Sequence, residues 1–242
     1  MTTTGRRKDT KPARKLPWIL EFYRSDVAKK WTMAVSGIIL LGYIAAHMVG
    51  NMKVYLGPEP INEYGHALRE LGGHLVPEEH LLWIMRIGLA IAFGIHVHAA
   101  YSLTRKNLAA RGKVRYDVPR EYLAANYASR TMRYSGVIVL LFIAFHVADL
   151  TIGTTNPDHV SGDIYNNMVA SFERLPVAIA YIVANLALGF HIFHGVWSLF
   201  QRIGANNQVY NKWRRYLAWG FTAVIIGGNL SFPIAVQLGI IS

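Results

Sequence analysis

No cysteine occurs anywhere in the 242 residues. Disulfides, thiolate-held iron–sulfur clusters and thioether-attached haem are excluded together. Charge is scarce too. Asp, Glu, Lys and Arg make up 16% of the chain, where soluble domains carry about a quarter. Acidic residues are the rarer sign, 14 against 25 Lys and Arg. Any redox chemistry in such a chain uses a non-covalent cofactor, and histidine, present ten times, is the obvious metal ligand.

What is abundant is hydrophobic sequence, 52% of the chain. It falls into five runs, at about residues 31–55, 80–104, 129–152, 175–201 and 213–240. Each reaches the roughly 20 apolar residues that a membrane-crossing helix needs. The expected fold is all-α: an integral membrane bundle of five helices over residues 30–242, preceded by a basic tail over residues 1–29. The tail holds no short apolar core with a small-residue cleavage site, so it reads as cytoplasmic and not as a secretory signal.

The positive charges are sorted by side. Nine Lys and Arg lie in the tail to Lys30, eight between 105 and 133, and four between 202 and 215. These 21 of the 25 share one side if the helices alternate, leaving Lys53, Arg69 and Arg174 opposite and Arg86 inside the second run. The positive-inside rule then gives N-in, C-out. Cations lying between hydrophobic spans argue against nucleic-acid binding, which would gather them on one soluble face. Of the outer connections, 57–79 has Ile61, Tyr64, Ala67, Leu68 and Leu71 at helical spacing and reads as a short interfacial helix. Residues 151–173, with their acids, glycines and proline, read as a loop.

The first four runs contain a repeat. Thr32-Met33-Ala34-Val35-Ser36-Gly37 and Thr131-Met132-Arg133-Tyr134-Ser135-Gly136 are 99 residues apart, and each serine is followed eleven residues later by a histidine, His47 or His146. His98-Ala99-Ala100-Tyr101-Ser102-Leu103 echoes His194-Gly195-Val196-Trp197-Ser198-Leu199 more loosely. Two helices per unit give copies of the same orientation, related by an axis along the membrane normal. The fifth run stands outside the repeat and has no histidine. It is expected to be accessory, with Gly227, Gly228 and Pro233 permitting close packing and a bend.

Polar residues inside a membrane helix are rare and mostly functional. At about 1.5 Å per residue, His47 and His146 sit roughly 25 Å from the inner boundary, and His96 and His191 about 15 Å. The four therefore form two pairs at two depths, each drawn from two different helices. That is what bis-histidine haem requires, one imidazole on each face of the macrocycle from opposed helices of a bundle. With both axial positions filled, such a haem carries electrons and does not bind oxygen. His96 and His98 are about 200° apart around their helix, so only one of them faces a given ring. An ungapped repeat favours His98 with His194, and His191 and His194 share a face, so both alternatives stay open.

The chain here resembles the cytochrome b membrane anchor of succinate:quinone oxidoreductase and fumarate reductase, in its single-subunit, di-haem, five-helix form. The resemblance covers roughly residues 30–240. It rests on His47 in YIAAHMVGN, His96 in FGIHVHAAYSLTRKN, His146 in FIAFHVADL and His191 in FHIFHGVWSLF. It implies an outer, distal haem b on His47 and His146 and an inner, proximal haem b on His96 and His191. The fourth motif, with Gly195 and then Trp197-Ser198 downstream, favours His191 over His194, and the spacing to Thr104–Asn107 favours His96 over His98. The resemblance also implies a flavoprotein partner that oxidises succinate with FAD, an iron–sulfur partner on the basic face, and quinone, of the menaquinone type, as acceptor. This would place the chain in a bacterial cytoplasmic membrane, with no succinate-oxidising site of its own. Candidate quinone contacts are Trp31, Ser36 and Arg133 near the inner face and Glu63 and His66 near the outer one.

Two rivals predict other patterns. The di-haem anchor of a hydrogenase or formate dehydrogenase usually carries two ligand histidines on its last helix, which this chain lacks. A transporter with parallel repeats would carry coupling carboxylates at mid-depth. Here the nearest carboxylate to that description is Asp149, near an outer end.

Overall fold

The computed structural model describes residues 17–111, 126–205, 207 and 211–242. Residues 1–16 of the basic tail and 112–125 of the second connection lie outside the described residues. Among the described residues there are helices and no strand. Five helices are long and apolar enough to cross a membrane: Asp26–Leu56, His80–Ala110, Thr131–Ile152, Leu175–Arg202 and Asn211–Gln237. The expected all-α, five-span architecture is the one observed.

In chain order the α-helices are α1 (Trp18–Arg24), α2 (Asp26–Asn51), α3 (Pro58–Arg69), α4 (His80–Arg111), α5 (Asn126–His146), α6 (Ile164–Glu173), α7 (Leu175–Arg202) and α8 (Asn211–Gln237). The first span begins earlier than its hydropathy suggests. Ser25 is an N-cap whose hydroxyl accepts from the Ala28 amide at 3.1 Å. The helix is thus started by a polar cap, while the apolar run marks only the part that meets lipid. α1 is tied to the end of α4, where Lys106 Nζ donates to Arg24 O at 2.9 Å and to Asp26 Oδ1 at 2.5 Å.

The spans pack in a definite order. α2 lies against α4, α5 against α7, and α7 against α8, with α2 also touching α7 and α8. Going round the four-helix part, the neighbours are α4, α2, α7 and α5. The diagonals are therefore α2 with α5 and α4 with α7, and neither is among the main packed pairs. The fifth span, α8, lies outside this square. It packs Ile226 and Thr222 against Gly189 of α7, and its Gly228 against Met48 of α2, while Gly227 faces open space.

The connections at one end fold into a cap. Gly57, at φ +102, turns the chain from a 3₁₀ segment (Met52–Leu56) into α3, where Pro58 occupies the first turn. The short helix expected in this connection is thus present. The second connection at this end differs from the loop expected of it, because its last part is α6. Asp163 caps α6 by accepting from the Asn166 amide at 3.1 Å, and Tyr165, Met168, Val169 and Phe172 bury one face. Those four residues have helical spacing that the surrounding turn residues obscure. A hydrogen bond from the Asn166 side chain, with others from its amide and from Asn62, holds the Asp163 carboxyl below the usual carboxylate range.

Asn62 of α3 fastens α6 in place. Its Oδ1 accepts from the amides of Ile164 (2.8 Å) and Tyr165 (3.1 Å), and its Nδ2 donates to Asp163 Oδ1 at 3.1 Å. Asn62→Ala removes these bonds to the first turn of α6, an expected loss of about 1–2 kcal/mol. At about 2–4 °C per kcal/mol for a chain of this size, thermal unfolding in detergent should fall by several degrees. Glu63→Ala on the exposed side of α3 should leave it unchanged. An unaltered midpoint for Asn62→Ala would show that the two short helices do not stabilise one another.

Candidate functional site

Two pairs of imidazoles meet across the two diagonals. His47 of α2 faces His146 at the end of α5, with ring centroids 5.8 Å apart and planes at 87°. His96 of α4 faces His191 of α7 at 6.4 Å and 66°. A metal–imidazole bond is about 2 Å, and about 1 Å more reaches each ring centre, so two axial imidazoles on one iron stand roughly 6 Å apart. Both separations fit. The donor type fits as well, since neutral imidazole suits iron.

Each pair is held by groups that engage one ring nitrogen. His96 Nδ1 is 3.1 Å from Ser36 Oγ, and His191 Nδ1 is 3.5 Å from Ser135 Oγ. The serine hydroxyls donate to carbonyls of their own helices, Thr32 O at 2.7 Å and Met132 O at 3.1 Å. Their oxygens therefore accept from Nδ1–H, which leaves Nε2 free as a metal donor. The glycine after each serine lies beside the ring, where a Cβ would just reach contact. A Cβ on Gly37 would stand 3.6 Å from the His96 ring, and one on Gly136 would stand 3.4 Å from the His191 ring. In the other pair, His146 Nδ1 is 3.4 Å from Tyr181 Oη. His47 stacks on Tyr43 at 5.4 Å and 11°, with Asn51 Nδ2 3.4 Å from its Nε2. The eleven residues from Ser36 to His47 separate the two levels by roughly 16 Å along α2.

The remaining sequence candidates are placed elsewhere. His98 turns away from the bundle, its Nδ1 2.8 Å from Tyr23 Oη of α1 and its ring stacked on that tyrosine. It lines a cavity of about 450 Å³ with Thr32, Gly94 and Ile95. His194 packs on Phe193 at 5.4 Å, nearly one turn beyond His191. Trp31 and Arg133 are exposed at one end of the bundle. Glu63 and His66 are exposed on α3 at the other, with His66 paired to Glu70 at 3.3 Å. Of the five quinone candidates, Ser36 is buried and committed to His96.

Sequence reasoning passed over one cluster. α5 does not stop cleanly at His146 but runs into a π-helical turn, Val147–Ile152, which Gly153 ends at φ +83. π turns recur at functional sites. This one carries Asp149, whose side chain is wholly buried. Asp149 accepts from Arg174 Nη2 at 2.6 Å, Tyr181 Oη at 3.0 Å, Thr155 Oγ1 at 3.4 Å and, closer still, Ser171 Oγ. Arg174 in turn donates to Thr155 O at 2.7 Å. The available signal was an acid three residues beyond a candidate ligand, with an arginine opening the next span.

The family model for the succinate dehydrogenase/fumarate reductase transmembrane subunit matches residues 105–230, just over half of the chain. The succinate dehydrogenase cytochrome b558 subunit of Bacillus subtilis (strain 168) is 28% identical over 163 residues, which is 67% of this chain and 72% of that protein. No solved structure matches. The matched segment of the family model contains His146 and His191, whereas His47 and His96 precede it. The chain belongs to the succinate dehydrogenase/fumarate reductase transmembrane subunit family.

Proposed function

We propose that the chain is the di-haem cytochrome b anchor of a succinate dehydrogenase, passing electrons from succinate oxidation to quinone in the membrane. The observation that carries this reading is the pair of diagonal imidazole contacts, 5.8 Å and 6.4 Å, at two levels of one bundle. His47 and His146 would hold an outer haem b, and His96 and His191 an inner one. A haem held between two histidines would supply one-electron transfer at that level. Ser36 and Ser135 orient the inner ligands through Nδ1, and Gly37 and Gly136 keep the space beside them open.

The membrane-facing chemistry follows from charge and position. With the N-terminus inside, 21 of the 25 Lys and Arg face the cytoplasm and offer a basic surface to the flavoprotein and iron–sulfur subunits. FAD, iron–sulfur clusters and succinate oxidation belong to those partners. Trp31 and Arg133, at the inner ends of their spans, are the inner candidates to meet a quinone headgroup. Glu63 and His66 on α3 are the outer ones, where an exposed carboxylate and an exposed imidazole can each exchange protons with water. The absence of histidine from α8 favours this assembly over a hydrogenase or formate dehydrogenase anchor.

A pyridine haemochrome assay should give two haems per chain. Replacing His47 or His146 with Ala should remove the outer haem, and replacing His96 or His191 should remove the inner one. His98→Ala should retain both. Succinate oxidation by a soluble dye should survive in all five variants of the assembled complex, while loss of the inner haem abolishes quinone reduction. If the His47 and His96 variants lose the same haem, the pairing is wrong. If His98→Ala loses the inner haem and His96→Ala keeps it, the second helix is misassigned.

The glycines give an independent check. Gly37→Leu and Gly136→Leu drive a side chain into the His96 and His191 rings, so haem content should fall about by half, with the inner spectrum lost. Gly227→Leu on α8, which meets open space, should retain both haems.

A further inference from the structure

The two levels of the bundle fix their histidines by different means. At the inner level a neutral serine on the neighbouring helix accepts from each Nδ1. At the outer level the His146 Nδ1 leads through Tyr181 Oη, 3.4 Å away, to Asp149 Oδ2 at 3.0 Å. Asp149 is wholly buried, and its charge is met by Arg174 at 2.6 Å. A carboxylate behind the ring nitrogen opposite a metal orients the imidazole and raises its basicity. Here the carboxylate acts at one remove, through a tyrosine that is itself buried.

We infer that Tyr181 and Asp149 are positioning residues for the outer haem: Tyr181 accepts from His146 Nδ1–H and donates to Asp149, so that the buried carboxylate strengthens His146 as an axial ligand and lowers the potential of that haem relative to the inner one. The inference rests on His146 being a haem ligand, as proposed above. The tautomer follows from the chain of donors. Asp149 only accepts, so Tyr181 O–H points to it, and the phenol oxygen is left to accept from His146. Arg174 sets how much of the carboxylate charge His146 feels, because the same carboxylate is shared between guanidinium and phenol. Ser171 and Thr155 occupy the remaining lone pairs, so Asp149 is fixed in place and cannot swing to a competing donor. The π turn makes this possible by widening the helix between His146 and Asp149.

The test uses the assembled complex in detergent, with a redox titration of each haem followed by visible spectra and low-spin ferric EPR. Tyr181→Phe keeps the Asp149–Arg174 pair and removes only the link. It should raise the outer potential and shift the outer EPR signal, leaving the inner haem unmoved. Arg174→Gln leaves more negative charge on Asp149 and should move the outer potential the opposite way. Asp149→Asn should match Tyr181→Phe in sign. His146→Ala tests the underlying assignment separately by losing the outer haem. An unchanged outer potential in Tyr181→Phe, or loss of both haems in that variant, overturns the link while leaving the ligand assignment standing. Retention of both haems in His146→Ala overturns the assignment itself.

Discussion

An imidazole inside the hydrocarbon layer needs a partner, because water is not there to serve as one. Four imidazoles of this chain find theirs in Asn51, Ser36, Tyr181 and Ser135, and so held they approach in pairs across the diagonals of a square of helices. The α2–α5 and α4–α7 diagonals stay apart, leaving room between them for each pair of rings. Helix contact is made along three sides of the square, α2–α4, α5–α7 and α2–α7, and against α8. The effect is visible in burial. In the most apolar stretches of α4 and α5, 6% and 11% of residues are buried within the chain, against 44% and 39% in α7 and α8. The packed core therefore lies on the α7–α8 side, with Leu188, Ile192, Val196, Ala218, Ile225 and Ile226. α4 and α5 are left to present their surfaces to lipid and to the space between the imidazoles.

The second dense region is the cap formed by α3, α6 and the C-terminal residues, around Val54, Ile61, Met168, Phe172 and Phe232. It sits directly over the His47–His146 level. Tyr181 belongs to both structures, as a buried member of this core and as the neighbour of His146. The cap thus does more than close the bundle. It excludes water from Asp149, which makes the carboxylate's pairing with Arg174 count, since a buried charge that loses its partner costs about 3–5 kcal/mol. At the His96–His191 level no such cap is needed, because serine hydroxyls bonded to their own helix backbones are already satisfied.

The five spans were legible because a membrane helix is defined by composition over a length, which a sequence states directly. The grouping of histidines by depth was legible for a similar reason: rise per residue converts a count into a height. The residues grouped in that way are the ones whose rings lie 5.8 Å and 6.4 Å apart. Rotation about the helix axis was harder. Depth cannot tell His96 from His98, which differ by only about 3 Å in height but point to opposite sides. The structure turns His98 to Tyr23, on a short helix that hydropathy did not reveal. Ser36 illustrates the same limit. A polar residue near a helix end reads equally as a quinone contact or as packing, until the neighbouring helix brings His96 to within 3.1 Å. α6 was missed because glycine, proline and acidic residues before it carry a loop signal, and only tertiary contact with Asn62 shows where that signal stops.

The repeat adds one constraint on the choice between His96 and His98. Matched without gaps, the second helices align His98 with His194, a shift of 96 residues against 99 for the first helices. The contacts divide the units differently. Ser36 reaches His96 across 60 residues, and Ser135 reaches His191 across 56. If the units are copies, the second is shorter by four residues between serine and histidine. That stretch includes the connection between the two spans with its short helices, so its length can change without turning either histidine away from its serine. Matching by contact therefore preserves the hydroxyl, the glycine beside it and the facing histidine in both units. The ungapped match preserves the local letters and loses all three. For a helix pair that aims a side chain, the contact is the better guide to equivalence, and it matches Ser36–His96 with Ser135–His191.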